Sequence, residues 1–141
     1  MRKKRIVICC LSAVMMCGSI MPFPATAAET SSTNTGIYGT LTGTNHVYPD
    51  KTSHTAKTVI VTSTTQSAAY KITVSADVDN RKTGALIYQL SDTQYNSTSA
   101  SDSHVHAFYA DNNVSSFGAH QAQKSNGTAW AVYTSCTNFW V

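Results

Sequence analysis

The stretch that decides the fold runs His104-Val-His-Ala-Phe-Tyr-Ala110, Asp-Asn-Asn113, Val114-Ser-Ser-Phe-Gly-Ala-His-Gln-Ala-Gln123, Lys-Ser-Asn-Gly127, Thr128-Ala-Trp-Ala-Val-Tyr-Thr-Ser135. Three alternating runs are separated by two turn signals. Asn126-Gly127 between such runs predicts a two-residue hairpin turn with both φ angles positive. That turn sets His120 opposite Tyr133 and Gln121 opposite Val132. Upstream, a two-residue turn at Asn112-Asn113 pairs Phe108 with Phe117 and His106 with Ala119. A loop of Asp111 to Asn113 would instead set His120 opposite His104. The choice matters because a one-residue slip moves every side chain to the other face of the sheet. The aromatic cross-strand pair favours the first register.

Working outward, the runs before this stretch are also extended. Lys57-Thr-Val-Ile-Val-Thr-Ser-Thr64 is rich in β-branched residues, which fit a pleated surface better than a helix. In Ala68-Ala-Tyr-Lys-Ile-Thr-Val-Ser-Ala76, Tyr70, Ile72, Val74 and Ala76 alternate with Lys71, Thr73 and Ser75. That period of two predicts a strand with one buried face. Gly84 to Leu90 gives another strand, with Leu86, Tyr88 and Leu90 aligned. Gly36 to Thr42 alternates more weakly. Gly43 to Ala56, Asp77 to Gly84 and Ser91 to Ser103 read as loop or turn, from their Gly, Pro, Asp and Ser content. No helical stripe follows the first thirty or so residues. Six or seven short strands at spacings of about ten residues predict an all-β fold, a small antiparallel β-sandwich in a single domain.

The chain opens as an export signal. Met1-Arg-Lys-Lys-Arg5 is a basic n-region, Ile6 to Met21 an apolar run, and Ala25-Thr-Ala-Ala28 an A-x-A cleavage site. The expected organisation is a signal peptide over 1–28, a flexible Ser/Thr-rich N-terminus over 29–35 and the sandwich over 36–141. The run is too short and too interrupted by Gly18 and Ser19 for a comfortable membrane span. After cleavage no span is expected, and the protein is secreted, with cell-wall association compatible.

Cleavage changes the charge and the cysteine count. Four of the ten basic residues, Arg2 to Arg5, leave with the signal; six remain against seven acids, a formal −1. That balance offers no basic patch for nucleic acid or for an anionic membrane surface. Cys9, Cys10 and Cys17 leave too, so Cys136 remains alone and no intrachain disulfide is expected. The roughly 113 residues left can bury about 65% of their unfolded surface, enough for one small core.

Few residues carry chemistry. His104 and His106 are two apart on one strand and project from one face, but a zinc site needs three or four ligands. In the favoured register His120 lies on the other face, so no metal and no cofactor is predicted. Cys136 and His120 are the only candidates for a nucleophile–base pair. The Thr-Leu-x-Thr-Cys motif of sortases is not matched by Ala131-Val-Tyr-Thr-Ser-Cys136, and no arginine follows to stabilise an oxyanion. Asp77-Val-Asp79-Asn80 is followed at once by Arg81-Lys82, where a calcium loop would place oxygen ligands. Glu29 is the one glutamate, far from any second placed carboxylate. No catalytic residue is assigned, and the chain reads as a non-enzyme. The candidate functional surface is His104, His106, His120, Trp130 and Tyr133, with aromatic faces suited to stacking on sugars or wall polymers.

Tyr48-Pro-Asp-Lys-Thr-Ser-His-Thr-Ala-Lys-Thr-Val59 and the ending Asn138-Phe-Trp-Val141 resemble the lactococcin 972 type of secreted bacteriocin. His54 stands at the matching motif position. The resemblance covers about a sixth of the exported chain and assigns no catalytic residue. It implies a small β-sandwich released to inhibit related Gram-positive cells. The expected function is therefore non-enzymatic action at a bacterial surface, with a cell-surface component or further copies of the same chain as partner. The alternatives are a carbohydrate- or wall-binding module and a matrix subunit assembling through strand edges.

Overall fold

The computed structural model describes residues 27–50, 55–105 and 114–137, and every regular element among them is a β-strand. The strands are β1 (Ala27–Asn34), β2 (Thr40–Asp50), β3 (Thr55–Asn80), β4 (Leu86–Val105), β5 (Val114–Gln123) and β6 (Ala129–Thr137). All pairings are antiparallel and form one sheet. No helix among the described residues is long and apolar enough to cross a membrane.

Two strands are not short. β3 has 26 residues and β4 has 20, and both fold over a common corner. The expected strands 57–64 and 68–76 are thus the two halves of β3. The first half pairs with β2, the second with β5, and both with β4. The register shifts between Thr64 and Ala69, and on β4 Asn96 takes a positive φ of 50°. These irregularities let the strands turn from one layer to the other without leaving the sheet. The corner is held from outside by the β1–β2 loop: Gln66 N and Ser67 N both donate to Tyr38 O, and Tyr70 N donates to the Tyr38 hydroxyl.

The result is a flattened, nearly closed barrel of two layers. One holds β1, β2, the first half of β3 and the second half of β4. The other holds β6, β5, the second half of β3 and the first half of β4. Alternation decides what lies between them. Leu41 and Val47 of β2, Val59 and Val61 of β3, Ile72, Val74, Ala76 and Val78 of β3, Leu90 of β4, Val114 and Ala122 of β5, and Val132 and Cys136 of β6 are buried. Fully burying one Leu, Ile or Val contributes about 1.5–3 kcal/mol, so this band is the main source of stability.

Several sequence expectations are corrected. Residues expected to be a flexible N-terminus form β1, paired from Ala27 to Asn34 along β2. Gly43 to Ala56 was expected as loop, yet β2 continues to Asp50; Pro49 is accommodated because the register shifts between Tyr48 and Pro49. Ser91 to Ser103 is strand throughout. Its polarity reflects an edge position, since among the described strands β4 has only β3 as a neighbour. His104 and Val105 end β4 and pair with Val59 and Thr58, not with β5. The expected pairing of His106 and Phe108 with β5 falls on residues outside the described set.

The Asn-Gly turn is one residue longer than expected. Lys124 N donates to Thr128 O and Gly127 N to Lys124 O, leaving a three-residue loop in which Gly127 alone takes a positive φ, of 90°. Asn126 Oδ1 accepts from Thr128 N. The pairing becomes Ala119 with Tyr133 and His120 with Val132. His120 therefore points inward and Tyr133 outward.

The free margins carry carboxylates. Asp92 and Asp102, on opposite halves of β4, reach across to each other's layer: Asp92 Oδ2 accepts from Ser101 N at 3.0 Å and Asp102 Oδ2 from Ser91 N at 2.8 Å. Beside them Tyr88 stacks on His104, with ring centroids 3.7 Å apart. At the other margin the Glu29 carboxylate accepts from Ser135 N, joining β1 to β6. Edge N–H groups that would otherwise face solvent, or another chain, are taken up by acidic side chains.

Candidate functional site

The inside of the barrel is not uniformly apolar. Asn45, Ser63, Ser116, His120 and Thr134 are all buried, and they form a band across the two layers. Glycine makes the room. A Cβ on Gly43 of β2 would stand 2.3 Å from the His120 ring carbons, and one on Gly118 of β5 would stand 2.5 Å from Thr134 Oγ1. The imidazole thus lies flat against the β2 backbone.

Its protonation state follows from its neighbours. Ser63 Oγ donates its single proton to Thr73 O at 2.8 Å. It must then accept from His120 Nδ1, 3.0 Å away. Nε2 is left as the acceptor, and Thr134 Oγ1 donates to it at 2.9 Å. The ring is neutral with the proton on Nδ1. Burial drives its pKa down from 6.5 to about 4, against a smaller opposing effect of a hydrogen bond that the ring donates to the Thr62 backbone carbonyl. Asn45 Nδ2 donates to Ser116 O at 3.0 Å, while Asn45 Oδ1 and Ser116 Oγ are buried without a partner.

This arrangement is structural in character. A catalytic serine must give its proton to histidine; Ser63 gives it to a carbonyl instead. The Cys136–His120 pair considered from the sequence does not assemble. Cys136 is buried opposite Ser116, and three residue pairs along the strands lie between it and the level of His120, about 13 Å away. Both imidazole nitrogens are already committed elsewhere. Asp92 and Asp102 do face each other, but all four oxygens have partners. Gln94 Nε2 reaches Asp92 Oδ1, Ser103 N reaches Asp102 Oδ1, and the strand-crossing bonds occupy the other two. Among the described residues, no three of His, Cys, Asp and Glu come together as metal ligands.

The residues proposed as one functional surface are dispersed, which corrects that expectation. His120 is fully buried. The turn length is the cause, since it flips His120 to the face opposite Tyr133. Trp130 packs against the core, edge-on to Tyr38 and with Lys124 Nζ 5.5 Å from its ring centre. His104 stacks on Tyr88 at the β4 margin. His106 lies outside the described residues. Tyr133 alone stands well out, at 71% exposure.

Tyr133 has a companion that sequence reasoning placed elsewhere. Phe117 of β5, expected to pair with Phe108, is 50% exposed. It pairs with Ser135, two residue pairs from Ala119–Tyr133 and so on the same face. The two rings therefore stand diagonally on adjacent strands, a spacing of about 7–8 Å that long side chains can bridge. The signal was present in Phe117-Gly-Ala-His120, since a buried His120 and Gly118 require Phe117 to face out. At the corner end, Tyr70 and Tyr95 form a second exposed aromatic pair, 6.0 Å apart and edge-to-face. No protein-family model matches the chain, and no curated protein or solved structure is significantly similar to it.

Proposed function

We propose that the protein is a secreted, non-enzymatic factor that binds at a bacterial cell surface, in the manner of a bacteriocin. The observation that carries this reading is the exposed pair Phe117 and Tyr133 on an outer sheet face. Those rings gain nothing for the core where they stand, and exposed aromatics on a rigid sheet suit recognition. His120, Ser63 and Thr134 inside, by contrast, are locked in bonds to one another and to the backbone. The export signal and the likeness of Tyr48–Val59 and Asn138–Val141 to lactococcin 972-type bacteriocins support release from a producing cell. Assembly through strand edges is the weaker reading, because Glu29, Asp92 and Asp102 occupy edge N–H groups.

The test is a lawn assay. Protein collected from the medium is spotted on several Gram-positive species beside a heat-unfolded control. Clearing by the folded form alone is the expected result. Intact lawns at every concentration, together with no retention on isolated cell walls, overturn the proposal.

A further inference from the structure

The outer face around Phe117 and Tyr133 has a chemistry that narrows the partner. Tyr133 stands opposite Ala119, and the next pair along is Gln121 with Ala131. The small alanines leave Tyr133 standing clear of its neighbours, at 71% exposure. Around the rings the outward positions of β3 carry Ser75 and Thr73, which pair with Ala119 and Gln121. Asp77, beside Phe117, is the charged residue of this patch, and its carboxylate accepts from Gln89 Nε2 at 2.9 Å.

Two flat rings, open to one side and bordered by hydroxyls and an amide, can stack on the C–H faces of sugar rings while bonding their hydroxyls. Anionic polymers call for several Arg and Lys, and at this patch only Lys71 stands at the border, one outward position beyond Thr73 and four residue pairs from the level of Tyr133, with Asp77 at the other end. A protein partner is a poorer fit, since a stable protein interface buries about 800 Å² on each side around a large apolar centre. Here the apolar surface is two rings and two alanines.

From this we infer that the face carrying Phe117 and Tyr133 is a binding platform for a neutral glycan of the cell envelope, the rings stacking on adjacent sugar units. This rests on the cell-surface reading and names its ligand class. Diagonal placement across two strands fixes the distance between the rings, so an extended chain of sugars is favoured over a single one.

The experiment runs two assays on the protein expressed with its own leader and collected from the medium. Retention on isolated Gram-positive cell walls tests the surface reading. Affinity electrophoresis in gels containing neutral polysaccharides (a β-glucan, a mannan, a galactan), with lipoteichoic acid as the anionic comparison, tests the ligand class. Retardation by at least one neutral polysaccharide is expected. Tyr133→Ala and Phe117→Ala should each weaken it about tenfold or more, with urea midpoints unchanged, and Tyr133→Phe should retain most of it. Wall retention without any neutral-glycan binding overturns the ligand class and leaves the surface reading standing. Loss of both overturns both. Glycan binding that survives both alanine variants overturns the platform, as does retardation by lipoteichoic acid alone.

Discussion

Acidifying the protein should destabilise it through His120. In the unfolded chain the imidazole titrates near 6.5; inside the barrel its pKa is about 4. The native state thus holds back from a proton that the unfolded state accepts. Stability from this group is full above pH 6.5 and is lost as pH falls from there towards 4. The slope approaches 1.36 kcal/mol per pH unit, giving a loss of about 2.5 kcal/mol by pH 4.5 and about 3 kcal/mol in all. For a domain whose total stability is about 5–15 kcal/mol that is a large share. The structural cause is plain. A charged ring needs acceptors at both nitrogens, and no carboxylate lies among Gly43, Asn45, Ser63, Gly118 and Thr134. Urea unfolding followed by tryptophan fluorescence at pH 7.5, 6, 5 and 4.5 measures the effect. The control is His120→Gln, which should be less stable at every pH but lose the His120 share of the slope. A wild-type change below about 1 kcal/mol over this range, or an equal slope in the variant, would refute the reasoning.

Other predictions follow from close contacts and edges. Gly43→Ala should cost about 3 kcal/mol, the upper end for overpacking, because the ring it strikes is pinned at both nitrogens. Gly84→Ala, which meets nothing within 4 Å but has a φ of 72°, should cost about 1 kcal/mol in the same urea assay. Asp92→Ala and Asp102→Ala should each cost about 1 kcal/mol, with the double variant forming dimers or larger species by light scattering as the β4 edge is bared. Cys136 should resist alkylation in the folded protein and react fully in urea, read by mass spectrometry of its peptide.

The all-β sandwich was legible because the period-two alternation survives in the structure over 71–78 and 116–123, although Tyr70, expected on the buried face, is exposed beside the register shift. Ile72, Val74 and Ala76 are buried as expected. The long strands were not legible. Ser91 to Ser103 looks like loop because an edge strand shows solvent on its outer face and at its free margin, which invites Ser and Asp. The candidate site failed at a single turn. Asn-Gly is compatible with both a two-residue and a three-residue loop, and local sequence does not distinguish them; packing does. Only the longer loop puts His120 into the space left by Gly43. That space is set by a strand far away in sequence, so it is invisible from the hairpin alone.

The carboxylate that joins β1 to β6 links residues 106 positions apart. Its formation must await both strands, because Glu29 lies in β1 and Ser135 in β6, with the other four strands between them in the sequence. Closing so long a loop is entropically slow, and topologies dominated by distant pairings fold in milliseconds to seconds. Because the bond joins the first described strand to the last, closure of the barrel depends on one of the most distant pairings in the fold.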